Sequence, residues 1–330
     1  MKTRTIGTAE VSALGIGAMS FSDFYGETSE AESHALLDRA REVGVSHIDT
    51  SNIYGAGRSE TVIGSWLAAH PGARDAVHIA TKAGIGSDAA GKRVINNSPA
   101  YMEAQLDASL KRLGTDHVDL FYAHRYQADL PPEEVAGTLA RLVEKGKCRS
   151  IGFSEIAPAT LRRAASEYPV AAVQSEYSLQ TRAPELGLIQ TCAELGTALV
   201  AFSPVGRSLL TDAPIPRARI ETNPFLSVNP RFTLPNHDFN LRALVPFREL
   251  AADMGLSTAS LAIAWGLHKG EHIVSIPGTR SLAHLDELVA GANAVLTPED
   301  MARIETVLPV GWCHGDRYAP GQWVGPQNYC

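Results

Sequence analysis

Short apolar runs recur along the chain at Ala13–Met19, Ser46–Ser51, Val77–Lys82, His117–His124, Arg149–Ser154, Ala171–Tyr177, Ala198–Ser203 and His272–Pro277. Most are bounded by glycine, proline or polar residues. A run that is apolar on both of its alternating faces suits a strand buried on both sides, as in a parallel sheet. Between these runs apolar residues return every three or four positions. That spacing predicts helices over Glu30–Val43, Ser59–Ala69, Ser98–Leu113, Pro132–Glu144, Pro158–Glu167 and Pro184–Leu195. Pro132, Pro158 and Pro184 open three of them, where a missing N–H costs little, and Gly114, Gly146 and Gly196 closely follow three of the helices, as terminating glycines do.

Strand and helix thus alternate, which is the pattern of an α/β fold. A parallel sheet of eight strands closes into a (β/α)8 barrel or stays open with helices on both faces, and periodicity does not choose between them. No charge-rich or Ser/Gly-rich linker interrupts the rhythm, so one unit over residues 1–330 is expected. Two segments depart from it. Residues 206–239 carry Pro214, Pro216, Pro224, Pro230 and Pro235 with few helix or strand signals, and read as a long functional loop after the seventh strand. Residues 309–330 hold Trp312, Tyr318, Trp323 and Tyr329 among glycine and proline, and read as an irregular tail. The start, Lys2–Ile6 with Val11–Ser12, reads as a small hairpin.

Composition narrows the function classes. Hydrophobic residues at 45% and charged residues at 20% are globular values. The net charge of −7 and the lack of a basic block argue against nucleic-acid binding. No window approaches ~18 uninterrupted apolar residues, so no membrane helix is expected. The opening MKTRTIGTAEV lacks the apolar stretch of a secretory signal. Cys148, Cys192, Cys313 and Cys330 form no CxxC pair and match no zinc spacing, which reads as free thiols in a reducing cytoplasm and no metal site.

Gly15-Ile16-Gly17 suggests a dinucleotide loop, but Ser20 stands where a third glycine is needed and no helix pattern starts before Glu30. The charged residues at strand ends are more informative. Asp49 ends the second strand with Tyr54 close behind, Lys82 ends the third, and His124 ends the fourth. Each has an ordinary reading alone: a turn cap, a wall residue, a snorkelling lysine, an exposed histidine. Together they fall on one rim, and barrel enzymes build their sites at the C-terminal ends of their strands.

Asp49-Thr50-Ser51 with Tyr54-Gly55, then Thr81-Lys82, then His124-Arg125, resembles the aldo-keto reductases, whose tetrad is Asp, Tyr, Lys and His. The resemblance runs from Gly15 to about Ala292. Gly152-Phe153-Ser154-Glu155, Gln174-Ser175-Glu176-Tyr177-Ser178, Ile276-Pro277-Gly278-Thr279-Arg280 and Gly315-Asp316-Arg317-Tyr318 resemble the branch of auxin-induced-protein-like and perakine-reductase-like enzymes. It implies a (β/α)8 barrel with an N-terminal hairpin, a long loop after strand seven and an irregular tail. It also implies NADPH-dependent reduction of aldehydes or ketones, the hydride coming from the cofactor. In that reading Tyr54 is the general acid, Lys82 is the cation that lowers its pKa, Asp49 holds Lys82, and His124 orients the carbonyl oxygen.

The same resemblance implies the cofactor contacts. Gly17 and Met19 close the first strand; Ser154 and Gln174 hold the nicotinamide carboxamide; Phe202 stacks on the ring, with core packing as the plain alternative. Ser203, Pro204, Gly206 and Arg207 meet the pyrophosphate, while Gly278, Thr279 and Arg280 meet a 2′-phosphate at a helix start, favouring NADP(H). Glu287 contacts adenine. The chain departs from the pattern at Glu155 and Leu288, where asparagine is common, and at His284, where arginine or glutamine is common. Phe24, Tyr25 and Trp312 are candidate walls for an apolar or ring-bearing carbonyl substrate.

The alternative is a non-catalytic, nucleotide-binding regulatory subunit on the same barrel. The complete tetrad argues against it, because a binder needs no proton donor. A Schiff-base lyase using Lys82 is disfavoured, since Asp49 would raise the lysine pKa. The absence of HxH and HExxH argues against a metal-dependent hydrolase. A monomer or weak homo-oligomer acting on a small molecule, away from membranes, is the expectation.

Overall fold

The computed structural model describes residues 1–88 and 90–328; Tyr329 and Cys330 lie outside the described residues. The strands are β1 (Ile16–Gly17), β2 (His47–Asp49), β3 (His78–Ala83), β4 (Val118–Ala123), β5 (Cys148–Ser154), β6 (Val170–Glu176), β7 (Ala198–Phe202) and β8 (Ile273–Ile276). Each pairs in parallel with its neighbour in chain order. The ring closes beside β1. Leu14 bridges Ser275 in parallel, Gly15 N donates to Ser275 O at 2.8 Å, and Gly17 N donates to Pro277 O at 2.9 Å. The sheet is therefore a (β/α)8 barrel and not an open sheet.

The helices are α1 (Glu30–Glu42), α2 (Arg58–Ala69), α3 (Pro99–Leu113), α4 (Pro132–Glu144), α5 (Pro158–Glu167), α6 (Leu188–Leu195), α7 (Thr258–His268) and α8 (Leu282–Asn293). Local sequence sets their ends. Ser29 and Glu32 form a capping box at α1, and proline occupies the first turn of α3, α4 and α5.

Alternation along the strands separates two apolar layers. Ala80, Leu120, Tyr122, Ala172, Val200 and Val274 fill the barrel interior. Ile6 and Val11 join them from the N-terminal hairpin Thr3–Ile6/Ala9–Ser12, which plugs one end. Ile79, Phe121, Phe153, Val173 and Leu199 belong to the layer shared with the helices. Gly152 is needed in the inner layer, because a Cβ there would lie 2.5 Å from the Tyr122 ring.

Several elements differ from expectation. The first strand shortens to Ile16–Gly17 and passes into a 3-10 turn at Ala18–Ser22. The helix expected over Pro184–Leu195 breaks at Gly187, whose φ of 113° is not helical, leaving a turn at Ala183–Glu185 and α6. Segment 206–239 is not structureless. It contains the helix Arg217–Thr222, anchored by buried Ile220, and the start of the helix Asn236–Ala243, followed by the helix Val245–Asp253. A hairpin of Ile85–Ser87 with Arg93–Ile95 was not legible in the periodicity. The helix Pro298–Val307 leads into the tail, whose described residues are irregular apart from a turn at Pro320–Gln322. Among the described residues no single helix is long and apolar enough to cross a membrane.

Candidate active site

The period of two that packs the interior also carries polar side chains inward at the C-terminal rim. Lys82 lies two positions beyond Ala80, His124 two beyond Tyr122, and Gln174 two beyond Ala172. Lys82 is fully buried and Asp49 is 2% exposed. Lys82 Nζ donates to Asp49 Oδ1 at 2.5 Å and to Thr50 O at 2.7 Å. Gln174 Nε2 donates to Asp49 Oδ2 at 2.7 Å, so both carboxylate oxygens are engaged. Burial raises the Asp49 pKa above the usual carboxylate range against the pull of Lys82, and lowers that of Lys82 against the pull of Asp49.

Tyr54 opens the turn Tyr54–Gly57 after β2. Lys82 Nζ stands 5.2 Å from the centre of its ring. The Tyr54 and His124 rings meet edge to face, 5.9 Å apart at 84°. His124 Nδ1 is 3.0 Å from Ser51 Oγ, which fixes the ring. Among the described residues no protein hydrogen bond reaches the Tyr54 hydroxyl or His124 Nε2, the histidine bonding only through Nδ1. Burial, then the charges of Arg125 and Lys82, holds the His124 pKa well below the histidine range, so the imidazole is neutral. The Tyr54 pKa is raised, first by burial and then by the Asp49 charge, with Arg125 and Arg207 opposing. This differs from the expectation that Lys82 lowers it. The physical reason is that burial disfavours the charged phenolate and the nearby Asp49 carboxylate repels it.

The other singled-out residues gather on the same rim in varied company. Ser154 Oγ accepts from Arg125 Nη1 at 3.1 Å, and Gln174 is bound to Asp49. Phe202 is partly buried against the interior apolar cluster. After β7 the backbone turns through positive φ at Ser203 (51°), Gly206 (58°) and Arg207 (54°), with Pro204 between them. Gly17 faces the end of β8 so closely that a Cβ would lie 2.7 Å from Ile276 O, and Met19 sits in the adjoining 3-10 turn. Gly278, Thr279 and Arg280 lead into α8, where Ser281 Oγ caps His284 N at 3.3 Å. His284 is exposed and Glu287 half-buried on α8.

The two arginines expected near phosphates are both engaged. Arg207 donates to Glu176 Oε2 at 3.2 Å and to the Tyr25 hydroxyl at 3.0 Å. Arg280 donates to Glu27 O at 2.7 Å and to Tyr25 O at 3.1 Å. Phe24 contacts Tyr25 at 4.9 Å and Phe225 at 5.6 Å between ring centres, and Phe225 reaches Tyr318 at 6.2 Å. Trp312 is instead tied to Leu179 O through its indole at 2.8 Å.

Sequence reasoning missed a buried ionic cluster beside this rim. Glu155, with φ of 60°, pairs with Arg317 of the tail and accepts from Glu176 N at 2.8 Å. Glu176 accepts from Arg231 at 3.2 Å and from Thr181 at 2.8 Å. Burial alone would raise the Glu176 pKa, but the guanidinium groups of Arg207, Arg317 and Arg231 outweigh it and hold it below the carboxylate range. The Glu155 departure was the only signal in the sequence. It is the anchor of the tail and not a copy of the asparagine it replaces.

Comparison with known proteins agrees with this geometry. The model of the "Aldo/keto reductase family" matches residues 13–309. The chain is 36% identical over 323 residues to "Aldo-keto reductase yakc [NADP(+)]" of Schizosaccharomyces pombe, covering 97% of this chain and 95% of that protein. It is 36% identical over 313 residues to "Probable aldo-keto reductase 1" of Glycine max, covering 94% and 90%. Among solved structures, a glycerol dehydrogenase from Gluconobacter oxydans superposes with a TM-score of 0.81 at 25% identity, covering 93% of this chain and 94% of that one. With a barrel of this topology, an Asp–Lys pair at its rim and a family match over nearly its whole length, the chain belongs to the aldo/keto reductase family.

Proposed function

We propose that this protein is an NADPH-dependent reductase of aldehydes or ketones, with Tyr54 as the proton donor. The observation that carries the reading is the unpartnered Tyr54 hydroxyl beside a neutral His124 and a buried Lys82–Asp49 pair. Carbonyl reduction builds negative charge on oxygen and needs an acid within hydrogen-bond reach. A tyrosine whose pKa lies above its ordinary value keeps its proton at neutral pH. His124, fixed through Nδ1 by Ser51, has Nε2 left to orient the carbonyl oxygen. Lys82 provides the positive charge that offsets the charge developing as Tyr54 gives up its proton, and Asp49 with Gln174 keeps that ammonium in place.

The residues present fit a nicotinamide dinucleotide phosphate. The positive-φ turn after β7 presents backbone N–H groups in the manner of an anion nest, and the capped N-terminus of the 12-residue helix α8 adjoins Arg280. When bound, the cofactor supplies the hydride that no side chain can. Ser154 and Gln174 are the proposed carboxamide contacts and Phe202 the proposed ring platform. The NADP(+) in the name of the S. pombe relative supports the phosphorylated form. The aromatic group of Phe24, Tyr25 and Phe225 supports an apolar or ring-bearing substrate.

The test is oxidation of NADPH and NADH by the purified chain across a panel of aromatic and aliphatic aldehydes and ketones. Turnover with preference for NADPH is expected. Tight binding of NADPH with no turnover on any carbonyl would replace this reading with a nucleotide-binding regulatory subunit.

A further inference from the structure

The two arginines proposed for the cofactor phosphates share a single companion. Tyr25 receives Arg207 at its hydroxyl, 3.0 Å away, and Arg280 at its backbone carbonyl, 3.1 Å away. Arg280 closes a second bond to Glu27 O at 2.7 Å. Between these two carbonyls lies Gly26, with φ of 118°, where a Cβ would stand 2.9 Å from an Arg219 nitrogen and 3.2 Å from an Arg280 nitrogen. The loop is held further by Asn223, which donates to Phe24 O at 2.9 Å, and by Arg58, paired with Asp23. Segment 23–28 therefore offers oxygen atoms to guanidinium groups much as phosphate oxygens would.

We propose that Tyr25 and the carbonyl of Glu27 act as an internal stand-in for the cofactor phosphates, so that loop 23–28 competes with NADP(H) for Arg207 and Arg280. This rests on the reductase reading above. The competition has two independent ends. The pyrophosphate, common to both dinucleotides, contends with the Tyr25 hydroxyl for Arg207. The 2′-phosphate, present in one only, contends with two neutral carbonyls for Arg280. A dianionic phosphate makes charge-assisted bonds that a carbonyl does not match, so it displaces them. NADH has no group to displace the Arg280 end. The loop thereby becomes part of the discrimination between the cofactors, and its release frees Phe24 and Tyr25, which belong to the aromatic wall.

The experiment measures dissociation constants for NADPH and NADH by tryptophan fluorescence, for the wild-type chain and Tyr25→Phe. Removing the hydroxyl leaves Arg207 its Glu176 partner and deletes only the competitor. Both cofactors are expected to bind about three- to ten-fold tighter to Tyr25→Phe, the order of one hydrogen bond's net contribution. Hydrogen exchange on wild-type protein gives a second reading: 2′,5′-ADP, which carries the 2′-phosphate, is expected to speed exchange in residues 23–28, and 5′-ADP to leave the Arg280 end closed. Unchanged or weaker binding in Tyr25→Phe, or protection of 23–28 by 2′,5′-ADP, overturns the proposal while leaving the reductase reading standing. A wild-type chain that binds neither dinucleotide defeats both.

Discussion

Gln174 donates from its side-chain nitrogen to Asp49 Oδ2 at 2.7 Å, across the barrel from the Lys82 ammonium that holds Asp49 Oδ1 at 2.5 Å. One carboxylate is thus held from two sides, by a cation on β3 and by a neutral amide on β6. Burial pushes the Asp49 pKa up, and Lys82 and Gln174 both oppose that push. Asp49 must be ionised to keep Lys82 charged, so its contribution is present above its pKa and lost as pH falls through it. Replacing Gln174 with methionine removes one opposing bond and raises the Asp49 pKa further. The acid limb of the kcat profile for carbonyl reduction is expected to move to higher pH in Gln174→Met. An unmoved limb would mean that the amide does not support Asp49.

The Tyr54 pKa predicts an asymmetry between directions. Held above its ordinary value by burial and Asp49, Tyr54 stays protonated through neutral and mildly alkaline pH. Reduction, which on the proposed mechanism needs the Tyr54 proton, is expected to be flat from pH 7 to about 9.5 on the tyrosine's account. Alcohol oxidation needs the deprotonated form and is expected to rise with pH across the same range. Initial rates in both directions check this, and a reduction rate that falls tenfold per unit above pH 7 would contradict it.

Removing one member of a buried ion pair leaves the other uncompensated. Lys82→Met is expected to destabilise the fold by about 3–5 kcal/mol, because Asp49 stays buried without its cation. The double variant Asp49→Asn/Lys82→Met is expected to recover most of that loss and still to lack activity. Chemical denaturation of the wild type, the single variant and the double variant separates the structural role of the pair from its proposed catalytic one.

At the opposite end of β2 and β3, His47 Nδ1 and His78 Nδ1 lie 2.9 Å apart, both buried, so the pair shares one proton. Burial lowers the pKa of each, that of His78 from 6.5 to about 4. The unfolded chain takes up protons near 6.5 that the folded pair refuses until well below. Stability from this pair is therefore complete above about 6.5 and is lost as pH falls toward about 4. A His78→Gln variant is expected to show a shallower fall in stability over that window than the wild type, measured by denaturation at stepped pH.

Much of this was legible in the sequence because barrels write two periods at once. Alternation within the strands located the interior, and charged residues closing apolar runs located Asp49, Lys82 and His124 on one rim. What stayed hidden depends on side-chain direction over long separations. Arg207 and Arg280 are readable as cations at strand ends, but only the fold shows them turned toward Tyr25. Glu155 and Arg317 are 162 positions apart, and no local pattern joins them. The helix Arg217–Thr222 is one short, proline-flanked segment, too brief to set up a period of its own.

The most direct test of the central claim compares wild type with Tyr54→Phe under saturating NADPH and an activated aromatic aldehyde. On the proposed mechanism, loss of the hydroxyl removes the proton donor and leaves the ring in place. Turnover is expected to fall about 10²- to 10⁴-fold while NADPH affinity changes little. Equal turnover in the two proteins would contradict the assignment of Tyr54 as the acid.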